Sequence, residues 1–263
     1  MSTSSQSLPL IPDTVQEEQQ LAMPELATPA LARRLLAEFL GTALLLAIVA
    51  GSGIMAEQLA GIAGGANAAG TAAGQSALAL LANSLATGAG LFVLIMIFGP
   101  VSGAHFNPVV SLVAWLQRQL PGRDCLTYLL AQCCGAITGV LATHAMFNLA
   151  LWQHSAKVRN GGNLWWAEFI ATFGLILTIQ ALSSRKTELP AIAASIGLYI
   201  VAAYWFTAST SFANPAVTLA RSFTDTFTGI RMQDIAGFMV AQAAGAMGAM
   251  ACAKALFTQP ASA

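Results

Sequence analysis

The sequence has very little charge. Only 8% of its 263 residues are Asp, Glu, Lys or Arg, and the net charge at pH 7 is zero, whereas ordinary soluble domains carry about 25% charged residues. Nucleic-acid binding therefore has no electrostatic basis in this chain. The hydrophobic fraction is 56% and the mean hydropathy is +0.68. This composition is typical of a membrane protein.

Cysteine is scarce as well, with four residues: Cys125, Cys133, Cys134 and Cys252. Their spacing suggests no disulfide framework, and none of them has metal-ligand spacing with a histidine. We expect no metal and no cofactor. A nucleophile, a base and an oxyanion site cannot be assembled from any motif in the chain, so we do not expect an enzyme.

Residues 1–30 lack both cations and long apolar runs, and they are rich in Ser, Gln, Pro and Glu. A secretory signal needs a positive segment followed by an apolar core, which this segment does not provide. We predict a disordered cytoplasmic tail over residues 1–30, followed by one membrane domain over residues 31–258.

Six apolar segments in that domain are long enough to cross a bilayer, which needs about 20 residues. Gly99-Pro100 is predicted to end the second of them. The predicted spans are about Leu35–Met55, Ser76–Phe98, Cys125–Leu149, Leu164–Leu182, Pro190–Phe206 and Ile235–Phe257. Two further runs, from Asn107 and from Asn214, are only about 10 residues long and cannot cross.

Both short runs begin with the same motif, Asn107-Pro108-Val109 in one and Asn214-Pro215-Ala216 in the other. Asn is a strong helix N-cap and Pro is favoured at the first helical position, so each motif predicts a helix start. A helix that starts at mid-membrane directs unpaired N–H groups and a positive dipole end at whatever lies there. Irregular backbone at that depth must be buried or line a cavity. The two motifs therefore indicate a pore.

The domain consists of two similar halves, about residues 31–150 and 161–258. Ala37-Glu38-Phe39-Leu40 in the first half matches Ala167-Glu168-Phe169-Ile170 in the second. Each half has three spans, an odd number, so the two halves have opposite orientations in the membrane. Inverted repeats of this kind place the functional site near the bilayer midplane. The predicted fold is all-α, with six transmembrane helices and two re-entrant half-helices.

The distribution of cations between the loops predicts that both termini are cytoplasmic, because cytoplasmic loops carry an excess of Lys and Arg. In this orientation the inner face carries seven cations and the outer face four. They are Arg33, Arg34, Arg118, Arg123, Arg185, Lys186 and Lys254 inside, and Lys157, Arg159, Arg221 and Arg231 outside.

Three stretches of this sequence resemble the aquaporin, or major intrinsic protein, family. They are Ala37-Glu38-Phe39-Leu40-Gly41-Thr42, Ser102-Gly103-Ala104-His105-Phe106-Asn107-Pro108-Val109 and Phe212-Ala213-Asn214-Pro215-Ala216. The resemblance covers about Leu31 to Phe257. It implies the aquaporin fold, a homotetramer with one pore per subunit, a cell inner (plasma) membrane location, and passive passage of water and small neutral solutes.

The motif residues receive roles from this resemblance and from physical reasoning. Asn107 and Asn214 are expected to direct amide N–H groups into the pore centre. Glu38 and Glu168 are costly inside spans, and their equivalent places favour tethers for backbone N–H groups, although a proton relay is an alternative. The expected acceptors along one wall are the carbonyls of Gly103, Ala104, His105, Thr210, Ser211 and Phe212. His105 is expected to line the lumen.

The narrowest part of family pores is built from four positions, and counting from the motifs gives Thr87, Ala202, Ser211 and Val217. Family members usually have Arg at the last of these, three residues after the second Asn, and this chain has Val217. The aromatic and His of strict water pores are replaced by Thr87 and Ala202. The expected selectivity filter is wide, weakly polar and uncharged, and it would admit solutes larger than water.

The expected solutes are water and glycerol-like polyols. Some bacterial family members with Val at this position are linked to arsenic resistance, which makes metalloid hydroxides and methylated arsenicals further candidates. Three alternatives remain open: a strict water channel, a structural membrane protein with incidental permeability, and a proton-coupled transporter using His105.

Arg221 lies four residues after Val217, on the same helix face. It is expected to hold its guanidinium in the outer mouth, one turn beyond the usual filter position. The alternative is a solvated helix-end cation, or one paired with Asp225.

Overall fold

The computed structural model describes residues 28–63 and 72–257, and within these ranges the chain forms eight α-helices, two short 3-10 turns and no strand. The helices, in chain order α1 to α8, are Leu31–Ala63, Ala72–Ser102, Pro108–Leu116, Gly122–Met146, Gly162–Ser184, Leu189–Phe206, Pro215–Ala220 and Ile235–Phe257. The predicted tail lies outside the described residues except for its last three residues.

Six of the described helices are long and apolar enough to cross a membrane. The predicted fold class is thereby confirmed. Several boundaries differ from the sequence prediction, and two of the helix ends show this. Helix α1 continues to Ala63 rather than ending near Met55, and α2 continues through Pro100 to Ser102. Pro100 lies in the last turn of α2, where one lost backbone hydrogen bond does not end the helix.

The helix order long, long, short, long occurs twice, in α1–α4 and in α5–α8. In the first half α1 packs against α4, and in the second half α5 packs against α8. The halves are joined where α2 packs against α6 and where each short helix contacts the last long helix of the other half, α3 with α8 and α7 with α4. The two short helices therefore meet in the middle of the bundle.

Glycines allow the long helices to cross closely. A Cβ at Gly135 of α4 would meet the carbonyl oxygen of Phe39 in α1, and one at Gly245 of α8 would meet that of Phe169 in α5. Small residues at such crossings let backbones approach each other in lipid, where apolar burial does not drive helix association. Close helix crossings at glycine therefore stabilise both halves.

Candidate functional site

The two Asn side chains cap their own helices and also bind each other's motif. Asn107 Oδ1 accepts from the backbone N–H of Val109 (3.1 Å), and Asn214 Oδ1 accepts from Ala216 (2.9 Å). Asn107 Nδ2 donates to the carbonyl of Ala213 (2.8 Å), and Asn214 Nδ2 donates to that of Phe106 (2.8 Å). The two helix starts are thus held together by a reciprocal pair of hydrogen bonds.

The backbone before each Asn follows the same unusual path. Positive φ angles occur one, three and four residues before each Asn, and they fall on Gly103, Ala104 and Phe106 and on Thr210, Ser211 and Ala213. A left-handed conformation costs a residue with a side chain about 1–2 kcal/mol. The surrounding contacts must therefore hold these two segments in place.

Glu38 supplies such contacts in the first half. It is fully buried. Its carboxylate accepts hydrogen bonds from the backbone N–H groups of His105 (3.0 Å) and Phe106 (2.7 Å). The Ser102 hydroxyl (2.6 Å) and the Gln132 amide (2.8 Å) also donate to it. Four donors around one carboxylate offset the cost of its burial.

Glu168 occupies the equivalent place in the second half and is also fully buried. It accepts from the backbone N–H groups of Phe212 (2.8 Å) and Ala213 (2.8 Å) and from the Gln242 amide (2.7 Å). Gln242 also donates to the Thr218 hydroxyl (2.9 Å), which places that side chain of α7 beside the same carboxylate. The two networks are related by the internal repeat.

A cavity of about 300 Å³ runs past the Asn pair. Most of the residues that the sequence predicted for the lumen border it. These are Thr87, Gly103, Ala104, His105, Asn107, Ser211, Phe212, Asn214, Val217 and Arg221. The cavity therefore brings both motif asparagines, three of the four predicted filter positions and Arg221 into one compartment. Pro108, Val109, Pro215 and Ala216 lie behind it in the short helices, and Thr210 does not border it either.

Ala202 was assigned to the filter by counting, and the structure places it elsewhere. Its side chain is exposed and does not border the cavity, whereas Ile196, Ile200 and Tyr204 do. These three residues follow at intervals of four along α6, so they share one helix face, and Ala202 lies on the opposite face. The α6 residue beside Thr87 is Tyr204, whose hydroxyl lies 3.2 Å from Thr87 Oγ1.

Tyr204 was missed by sequence reasoning. The signal that could have found it is its four-residue interval with Ile196 and Ile200. It adds an aromatic ring and a hydroxyl to the wall that also contains Ser211 and Val217. The wall at this level is more polar than the sequence suggested, although Val217 leaves it without the usual arginine.

His105 borders the cavity close to the Asn pair. Its Nδ1 lies 3.0 Å from the Ser111 hydroxyl, and its ring packs edge-on against Tyr128 with 5.4 Å between centroids. Ser111 in turn accepts from the Gln132 amide (2.9 Å), the same amide that donates to Glu38. The imidazole is therefore positioned by the network that holds the first loop.

Arg221 is only 3% exposed and borders the cavity. Its guanidinium carbon lies 3.4 Å from the centroid of the Phe212 ring, and its Nε donates to the carbonyl of Thr228. It forms no ion pair with Asp225, whose carboxylate accepts from the backbone of Ala156 (2.9 Å). Burial, and then the charge of Arg159, lower the pKa of Arg221.

Known proteins that are similar to this chain all point to one family. A model of the family "Major intrinsic protein" matches residues 25–211 of the chain. The chain is 52% identical over 221 residues to "Aquaglyceroporin AqpS" of Rhizobium meliloti (strain 1021), which covers 84% of this chain and 88% of that protein. It is 30% identical over 184 residues to "Aquaporin PIP2-7" of Arabidopsis thaliana, covering 66% of this chain and 61% of that protein.

Among solved structures, the fold is similar to the X-ray structure of the aquaglyceroporin from Plasmodium falciparum. The TM-score is 0.62 at 20% sequence identity, and the match covers 86% of this chain and 95% of that one. At that identity the likeness concerns the fold, and it agrees with the six spanning and two short helices described above.

Proposed function

The chain belongs to the major intrinsic protein family, and from that premise we propose that it is a passive channel for water and small uncharged solutes of glycerol size. The observation that carries the proposal is the reciprocal Asn107–Asn214 arrangement inside one continuous cavity. Members of this family are channels and not enzymes. The 52% identical relative is itself named an aquaglyceroporin, which agrees with a pore that is not restricted to water.

A solute at the pore centre exchanges its contacts with water for contacts with the protein. Each Asn amide has two N–H groups, and one of them is used in the bond to the opposite motif. The second remains for the oxygen of a passing water or polyol. The carbonyls of the two loops before the Asn residues would accept from the same solute, and the facing wall is apolar, with Leu91, Ile95 and Leu175.

Cations and protons are disfavoured at the pore centre, where the two Asn amides lie. The N-termini of α3 and α7 meet there, and each carries the positive end of a helix dipole. Excluding protons by paired half-helix dipoles is a logic known for aquaporin-type pores in general. The buried carboxylates Glu38 and Glu168 do not oppose this effect as free anions, because each is bound by several donors.

Val217 in place of the usual arginine gives the pore its expected selectivity. It borders the cavity together with Thr87 and Ser211, and none of the three is charged. This arrangement favours polyols and uncharged metalloid hydroxides, which also carry several hydroxyl groups, and methylated arsenicals are further candidates. Tyr204 at this level supplies a hydroxyl against which such a solute can orient.

The protein is a multi-pass membrane protein, and the finer features of its setting are proposals. We place it in the plasma membrane with both termini in the cytoplasm, on the cation distribution of its loops. We also propose a homotetramer with one pore per subunit. Residues 1–30 would form the cytoplasmic tail, and residues 31–258 the channel domain with its two halves.

The function is tested by stopped-flow light scattering on proteoliposomes with water, glycerol, urea and arsenite. Wild type is expected to pass water and glycerol. Asn107→Ala and Asn214→Ala should each reduce glycerol flux strongly. Asn83→Ala is the matched control, because Asn83 is also buried and donates to a backbone carbonyl, that of Val49, yet does not border the cavity.

Flux that is unchanged in both pore-centre variants would show that the assigned pore centre is wrong. A wild type that passes water but excludes glycerol would make the protein a strict water channel. A wild type with no flux above empty liposomes would support the structural alternative.

A further inference from the structure

The cavity end that contains Arg221 holds unused hydrogen-bond donors. Nε of Arg221 is bound to Thr228, and no other hydrogen bond of this side chain is formed within the described residues. The two terminal nitrogens therefore retain four N–H groups. These nitrogens have no hydrogen-bond partner in the described part of the chain but keep accessible surface. They are therefore open to the cavity that Arg221 borders.

A second guanidinium lies near the same aromatic ring. The Arg159 carbon is 5.2 Å from the centroid of the Phe212 ring, on which Arg221 also lies at 3.4 Å. Arg159 is anchored by donating to the carbonyl of Gly229 (2.8 Å). The two like charges cannot separate, because each is fixed to a backbone carbonyl and to the same ring.

Neither guanidinium is neutralised by a carboxylate. Within residues 28–63 and 72–257 the ion pairs are Arg34–Asp124 and Arg231–Asp234. The negative charge of Glu168 acts on both arginines. Its oxygens, however, already accept hydrogen bonds from two loop N–H groups and from Gln242. Two buried or half-buried cations without a bound anion are costly, and a ligand could remove that cost.

Ser211 adds a small uncharged residue to the wall of the same cavity. Ser211 is 3% exposed and borders the cavity, and its Oγ has no hydrogen-bond partner. Its oxygen has almost no accessible surface, so Ser211 contributes to the cavity wall and does not donate to a solute there. We call Arg159, Phe212, Arg221 and Ser211 together the basic mouth.

We propose that the basic mouth is a binding subsite for small oxyanions, with the terminal N–H groups of Arg221 as donors. This subsite rests on the proposed function in that it lies on the solute path. Arg221 supplies the planar fork that fits two oxygens of one anion. Arg159 is held by Gly229 and acts through its charge. An anion bound there occupies the path, so it competes with neutral solutes.

The test uses two probes of nearly equal size, methanesulfonate and methanesulfonamide. The first has a permanent negative charge and the second is neutral, so their difference reports the charge and not the volume. Each is added to both sides of proteoliposomes containing wild-type protein while glycerol flux is measured. Methanesulfonate is expected to inhibit glycerol flux at roughly tenfold lower concentration than methanesulfonamide, equivalent to about 1.4 kcal/mol.

Arg221→Gln should reduce that difference to nearly nothing, and Arg221→Lys should keep part of it, because a lysine retains the charge but not the fork. Lys157→Gln is the matched control. It removes a cation from the same loop as Arg159, and Lys157 does not border the cavity. An unchanged preference in Lys157→Gln excludes general surface attraction as the cause.

Equal inhibition of wild type by the two probes overturns the proposal, and so does a preference that persists in Arg221→Gln. If Arg221→Gln does not fold, Arg159→Gln takes its place, and an unaltered preference in that variant also overturns the subsite, because Arg159 acts through its charge. If wild type conducts no glycerol, the proposed channel function fails by itself. Binding is then measured as the thermal shift of the detergent-purified protein in methanesulfonate against methanesulfonamide, where equal shifts overturn the subsite.

Discussion

The buried carboxylates of Glu38 and Glu168 hold backbone rather than meeting another charge. Glu38 and Glu168 are both fully buried, and each accepts hydrogen bonds from two consecutive loop N–H groups. Those loops contain left-handed residues that would otherwise relax. At the scale of single residues, the carboxylates therefore keep the loop carbonyls and Asn side chains of the proposed pore centre in a fixed arrangement.

Replacing Glu168 by Gln should destabilise the protein by about 1–3 kcal/mol, the cost of leaving a buried hydrogen-bond donor unsatisfied. The amide offers one acceptor oxygen where the carboxylate had two, so its NH₂ group would face the N–H of either Phe212 or Ala213. The measurement is the unfolding temperature in detergent. Ser184→Ala is the control, because its exposed hydroxyl donates only within its own helix, to Ala181. Equal unfolding temperatures for Glu168→Gln and wild type would contradict the tether.

Val217→Arg should reduce glycerol flux more than water flux. Val217 borders the cavity, so a long charged side chain narrows the pore, and it also lies one helical turn from Arg221. The ratio of glycerol to water permeability in proteoliposomes measures the effect. Val217→Leu adds bulk without charge and should lower the ratio less. A ratio in Val217→Arg that equals wild type would remove Val217 from the filter.

At the scale of elements, the two short helices depend on each other. Neither α3, with nine residues, nor α7, with six, would be stable alone, because helices below about 12–15 residues are marginal in water. Each begins at an Asn cap, binds the loop of the opposite motif, and packs on the last long helix of the other half. The long helices form a rigid support for the short ones, because glycines bring the long-helix backbones together.

Gly135→Ala and Gly245→Ala should each destabilise the protein by about 1–3 kcal/mol, the usual cost of overpacking. In both cases the new Cβ would meet a backbone carbonyl oxygen, which cannot rotate away. Gly162→Ala is the matched control, because a Cβ there meets nothing within 4 Å. The measurement is the unfolding temperature of each of the three variants in detergent. Similar stability of all three variants would mean that the crossings are not as tight as described.

At the scale of the whole molecule, the inverted halves place one pathway between them. The helix order, the carboxylate networks and the left-handed loop residues all occur twice. A channel with this symmetry needs no alternating access, because its centre is fixed by hydrogen bonds between the halves. His105 is the imidazole that borders the cavity, and it is held by Ser111 rather than poised to move between two compartments.

Glycerol flux is therefore expected to be passive and equal in both directions, with no dependence on a pH gradient across the membrane. The measurement compares influx and efflux in proteoliposomes with and without an imposed gradient at equal mean pH. His105→Asn serves as the companion variant, since a proton-coupled mechanism would lose its coupling there. Accumulation of glycerol against its concentration gradient would establish the transporter alternative.

The sequence alone determined the spans, the helix starts and the family, because these depend on local properties. An apolar run of about 20 residues crosses a bilayer whatever its neighbours are, and Asn-Pro starts a helix through contacts within one turn. The similarity of Glu38 and Glu168 in their segments was enough to recognise the inverted repeat. Six spans, two short helices and membership of the major intrinsic protein family are confirmed.

Only the tertiary structure decided which side chains surround the pathway. The rotation of α6 about its axis places Tyr204 beside Thr87 and turns Ala202 outward, and that rotation is set by packing against α2. Likewise the sequence allowed Arg221 to pair with Asp225, but folding places it on the Phe212 ring, which the Arg159 guanidinium also approaches. Such contacts join residues far apart in the chain, so spacing along the sequence cannot predict them.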